Sequence, residues 1–96
     1  GVRAGGVHCG LKKHGAPDLG ILVADRPLRV AALFTRNVLT GAHIELCREH
    51  LARSGGRVRA LLVNARNANC ATGRQGVADA AECCREVARR LGCAEH

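Results

Sequence analysis

Three features of this 96-residue sequence predict an α/β fold of the α+β kind, with residues 1–96 in a single domain. Short runs rich in Val, Ile and Leu read as strands at 18–25, 29–37 and 57–64. Two longer segments, 42–53 and 77–91, repeat apolar residues at three and four, the period of a helix with one buried face. Glycine and proline punctuate the joints between them.

Taken in order, the opening GVRAGGVHCGL is glycine-rich and suits an edge strand before the polar KKHGAPD stretch. DLGILVAD is short and β-branched, and Asp25-Arg26-Pro27 closes it. RVAALFTRN follows so closely that the two are expected to pair antiparallel, with Pro27 in the turn. AHIELCREHLAR places Ile44, Cys47 and Leu51 at helical spacing, and Ser54-Gly55-Gly56 ends the helix. In RVRALLVN, Val58, Ala60 and Leu62 alternate before the run turns wholly apolar, which predicts a buried strand. After Gly76, the stripe Val77, Ala80, Ala81, Cys84, Val87, Ala88 and Leu91 predicts a helix of roughly four turns. Its acids Asp79 and Glu82 come early and Arg85, Arg89 and Arg90 late, as the helix dipole prefers, and Gly92 suits its end.

A chain this short buries only about two-thirds of the surface its unfolded form exposes. Phe34 is the only aromatic residue, so the core must come from Val, Leu, Ile, Ala and Cys. The formal charge is +7, from 15 Lys and Arg against 8 Asp and Glu. These basic residues are scattered, with no long run and no aromatic platform for bases, which argues against nucleic acid and against a membrane surface as partners. No apolar run approaches the roughly 20 residues of a membrane span, and the N-terminus has no signal-peptide pattern, so a cytoplasmic protein is expected. The chain begins without Met and stops just past a helical pattern, which raises the expectation of a piece of something longer.

Six cysteines without a secretory context point to reduced thiols. Cys47 with His50 and Cys93 with His96 form two Cys-x-x-His pairs, so a tetrahedral zinc set is the metal alternative. In the simpler reading Cys47 packs inward from its helix and His50 meets solvent, and the chain holds no metal. Cys83 and Cys84 point about 100° apart on a helix and cannot share one core.

The polar stretch NARNANCATGRQG lies between the last strand and the last helix, where backbone amides gather and anions can be held. Asn67, Asn69, Thr72 and Gly73 are its candidate binding residues, with Gly76 a second point of close backbone approach. It lacks the Gly-Lys-Ser/Thr of a phosphate loop. The same asparagines equally suit an irregular turn in which they bond their own backbone.

Three stretches together resemble the N-terminal part of the ornithine acetyltransferase family, the bifunctional glutamate N-acetyltransferases of arginine biosynthesis. AGGVHCGLKKHGAPDLGIL is similar to the family's A-G-x-x-x-G-x-K-x-x-G-x-x-D-L opening, with Gly10, Lys12, Gly15, Asp18 and Leu19 in place. ALFTRNVLTGAHIELCREHL resembles its G-V-F-T-x-N-x-x-x-A-A-P-V segment through Phe34, Thr35, Asn37 and Ala42. ALLVNARNANCATGRQG resembles V-V-N-S-G-N-A-N-A-C-T-G-x-x-G. Arg66 stands where the family has glycine, Cys70-Ala71 reverses its Ala-Cys, and His43 replaces its usual Pro. If that glycine has a positive φ, Arg66 costs on the order of 1 kcal/mol.

The resemblance implies the layered sheet-and-helix sandwich of the ornithine acetyltransferase and DmpA-like type, two β-layers enclosed by helices. It implies a precursor that cleaves itself at an Ala-Thr bond into α and β chains that assemble as a hetero-oligomer. The freed threonine takes acetyl from N-acetylornithine and passes it to glutamate. No cofactor is implied, and acetyl-CoA enters only as an alternative acetyl donor of the full enzyme. The threonine, the substrate contacts and the Ser-Thr-Gly oxyanion motif lie beyond the matched segment, so no catalytic residue falls in this chain, and it is expected to be inactive alone. Thr72-Gly73 aligns with the earlier Cys-Thr-Gly and is not that oxyanion pair. The alternative outside this family is a stand-alone small basic α/β module that binds an anionic ligand or zinc.

Overall fold

The computed structural model describes residues 1–65 and 73–96. Its elements are β1 (Val2–Val7), β2 (Leu19–Arg29), α1 (Ala42–Arg53), β3 (Arg57–Asn64) and α2 (Gly73–Leu91), with one 3₁₀ turn at Lys13–Gly15. This is the expected α+β composition.

The strands form a sheet in the order β1-β2-β3. β1 and β2 are antiparallel, with Val2 opposite Ala24 and Val7 opposite Leu19. β3 also runs antiparallel to β2. The Ala65 N–H, just past β3, donates to the Asp18 carbonyl just before β2, and the Val30 N–H donates to the Gly56 carbonyl at the opposite end, both at 2.8 Å.

The strand expected at 29–37 does not form, and Pro27 is not in a turn: β2 runs through it to Arg29. Pairing with β1 stops where the Asp25 N–H reaches the Gly1 carbonyl, and residue 27 faces the same side. A missing N–H there breaks no ladder. Residues 30–40 form no regular element. They are pinned from α1 instead, where Arg48 lays its guanidinium 5.2 Å from the Phe34 ring centroid and donates from Nη2 to the Thr35 carbonyl at 3.0 Å. The Thr35 hydroxyl oxygen accepts the Asn37 N–H, and Asn37 Oδ1 accepts the Leu39 N–H.

The chain divides into two compact units. In the first, Gly1–Leu28 with Arg59–Ala68, Ala24 is buried and Leu19, Ile21 and Val23 are half-buried. Val2, Leu22, Leu61, Leu62 and Val63 stay exposed. The burial expected for the apolar end of β3 is therefore absent, because nothing among the described residues covers it.

In the second unit, Arg29–Val58 with Asn69–His96, α1 packs against α2. Ala42 and Leu46 of α1 are buried, as are Gly76 and Ala88 of α2. α1 has its expected bounds, whereas α2 starts at Gly73, ahead of the predicted stripe, and Gly76 lies inside it. Both helices end on a left-handed glycine, Gly55 (φ 63) and Gly92 (φ 64). The following N–H groups turn back, from Gly56 to the Leu51 carbonyl and from Cys93 to the Ala88 carbonyl, satisfying carbonyls that a helix end leaves open.

Candidate functional site

At one end of the sheet the chain leaves β1, crosses 8–18 and enters β2, and beside that crossing β3 delivers Asn64 and Ala65 toward the polar loop. Asp18 organises this end. Its residue is only 3% exposed, so its carboxylate must find partners inside the protein. It finds the backbone N–H groups of Cys9 (2.6 Å, to Oδ1), Leu11 (2.6 Å) and Lys12 (2.8 Å, both to Oδ2). The Cys9 thiol donates to it as well. Its own N–H donates to the Val7 carbonyl, so one residue closes the crossing on both sides.

The loop can bend this tightly because Gly10 (φ 101) and Gly15 (φ 71) adopt backbone angles closed to most side chains. His14 adopts φ 71 without that freedom, a strained position for a residue with a Cβ. His8 lies over the closure, its Nδ1 3.0 Å from the Ala16 carbonyl and 3.2 Å from Asp18 Oδ2. Both neighbours accept only, so Nδ1 carries the proton.

Burial pushes the Asp18 carboxyl upward, but the Cys9 and Lys12 amides, the Cys9 thiol and the Leu11 amide outweigh it and hold its pKa well below the usual carboxylate range. The hydrogen bond to Asp18, with some desolvation, pushes the Cys9 thiol up. Cys9, His8 and Asp18 are thus no nucleophilic triad. The carboxylate holds thiol and imidazole separately, and the thiol is kept protonated. The cluster is a scaffold for the crossing, on which Lys12 is half-buried and Lys13 and His14 are exposed.

Of the loop candidates, Asn67, Asn69 and Thr72 lie outside the described residues, as does Arg66. Gly73 is described: it opens α2 in the left-handed region (φ 62), and a Cβ built there would meet open space. Among the described residues no three His, Cys, Asp or Glu side chains gather as a metal site. Cys47, His50, Cys93 and His96 are all described, and no three of them lie together. Cys47 and Cys84 are half-buried with thiols pushed up by burial, which agrees with their reading as small apolar residues. Sequence periodicity missed the Asp18 closure, whose signal was the Gly10, Lys12, Gly15 and Asp18 spacing.

Comparison with known proteins places these features. The profile of the ArgJ family matches residues 3–96. The arginine biosynthesis bifunctional protein ArgJ of Prochlorococcus marinus (strain MIT 9313) is 38% identical over 91 residues, which are 95% of this chain and 21% of that protein. Its namesake in Bacillus licheniformis is 42% identical over 92 residues, 96% of this chain and 22% of that protein. The crystal structure of ArgJ from Bacillus halodurans superposes with a TM-score of 0.94 at 33% identity, over 100% of this chain and 49% of the solved one. Ornithine acetyltransferase from Mycobacterium tuberculosis, solved in complex with ornithine, gives 0.85 at 38% identity, over 96% of this chain and 47% of its own. The chain therefore spans about one fifth of the curated relatives it matches and about half of the solved chains.

Proposed function

This chain belongs to the ArgJ family, and from that premise we propose that it is the N-terminal part of an acyltransferase of arginine biosynthesis that moves acetyl from N-acetylornithine to glutamate. The observation that carries this reading is the superposition of the whole chain on an ArgJ crystal structure, at a TM-score of 0.94, while filling only 49% of it. The exposed apolar residues of the sheet support the same reading, since a lone domain keeps such surface small. The bound ornithine of the Mycobacterium tuberculosis relative supports an ornithine-type substrate.

In the proposed reaction a threonine hydroxyl outside this chain attacks the acetyl carbonyl of N-acetylornithine. The C–N bond breaks, ornithine leaves with the proton, and acetyl remains on the threonine as an ester. The α-amine of glutamate then attacks the ester, and N-acetylglutamate leaves as the hydroxyl regains its proton. Splitting the transfer lowers each barrier, and oxyanion donors stabilise both tetrahedral intermediates.

We further propose that the precursor divides at an Ala-Thr bond into α and β chains. A stretch that is about one fifth of the curated relatives is about half of the solved chains, so the solved chains are shorter polypeptides. The Asp18 scaffold is assigned a positioning role, holding 8–17 against the end of β3. Among the described residues no helix is long and apolar enough to cross a membrane, and we place the enzyme in the cytoplasm. The test is to supply this chain with the remaining portion of the Bacillus licheniformis relative and follow acetyl transfer from N-acetylornithine to glutamate. Activity is expected only with both parts, and activity that survives replacement of the threonine at the Ala-Thr bond sinks the mechanism.

A further inference from the structure

Arg59 sits on β3 with its Nε out of water and, among the described residues, without a hydrogen-bond partner. Native folds pair roughly nine in ten or more of their buried polar groups, so an orphaned guanidinium N–H calls for an acceptor from elsewhere. Leu61 and Val63 follow on the same face of the strand and are 49% and 52% exposed. An arginine framed by open apolar side chains is the composition of an interface centre.

We propose that Arg59 is the polar anchor of the surface against which the rest of the ArgJ polypeptide packs, and that this segment brings a carboxylate or main-chain carbonyl to Nε. The inference rests on the reading that the chain is part of a longer ArgJ fold. The occupant follows from two observations. The solved relative on which this chain superposes at a TM-score of 0.94 contains about as much chain again. A second copy of this chain would bring another +7 of charge to a strand that already carries Arg57 and Arg59, and like charge opposes that pairing.

Side-chain geometry supplies the test. Glutamine places an N–H at the position of the arginine Nε, lysine keeps the charge but has a methylene there, and methionine has neither. The chain and its R59Q, R59K and R59M variants are each co-expressed with the remaining portion of the Bacillus licheniformis relative, and the affinity of each pair is measured. R59M and R59K are expected to weaken association roughly tenfold or more, with R59Q within about threefold of the parent. Equal affinity for all four overturns the anchor and leaves the family reading standing, and so does retention by R59K with loss by R59Q, which would mean charge rather than a directed hydrogen bond. A parent chain that pairs with itself and not with the remaining portion overturns both.

Discussion

A carboxylate at the surface is solvated by water, whereas Asp18 replaces that water with three amides and a thiol drawn from residues 9–12. Replacing it by Asn removes the charge and one acceptor oxygen, so the Cys9, Leu11 and Lys12 amides should exchange with solvent about tenfold faster or more, as read by hydrogen exchange. The pH dependence has a definite sign. The folded pKa lies below the ordinary value of 3.8, so the closure is fully formed above that value and is lost as pH falls through the depressed one. Amide protection in this loop should therefore be flat in mild acid and fall only in strong acid, a dependence that the Asn variant lacks. The same substitution removes the carboxylate whose hydrogen bond and charge push the Cys9 thiol up. Peptide mapping after alkylation should show Cys9 reacting several-fold faster in the variant. Periodicity could not show this cluster, because its main-chain partners lie six to nine residues away, and their convergence depends on how the loop bends.

At the scale of elements, helices were more legible than strands. α1 and α2 announced themselves through stripes such as Val77, Ala80, Ala81 and Cys84, and through terminators Gly55 and Gly92, because local spacing and one left-handed residue settle a helix end. A Cβ at Gly92 would meet nothing within 4 Å, so Gly92→Ala tests the backbone alone. It should destabilise the chain by about 1 kcal/mol in denaturant unfolding. The segment at 29–37 misled because an apolar β-branched run is necessary for a strand but not sufficient: the strand exists only if a neighbour offers its edge. Here Arg48 takes that role through Phe34 and the Thr35 carbonyl. Arg48→Ala should cost about 0.5–1 kcal/mol and raise proteolysis within 30–40.

At the scale of the molecule, apolar residues lie where a small lone domain would hide them. Leu33 is fully exposed, Val38 nearly so, and Leu61 and Val63 stand half open. The sequence showed an apolar β3 but not its exposure, because burial depends on a layer that the strand's own residues do not encode. The isolated chain should bind a hydrophobic dye such as ANS, and that fluorescence should fall on association with the remaining portion of an ArgJ relative. Leu61→Asp should abolish the association while leaving α1 and α2 helical by circular dichroism.

The bond from the Ala65 N–H to the Asp18 carbonyl joins main chain to main chain. It is therefore blind to the side chain at 65, which is alanine here. The end of β3 thus keeps its hold on the start of β2 whichever residue stands at 65, proline excepted, because proline alone has no N–H to give.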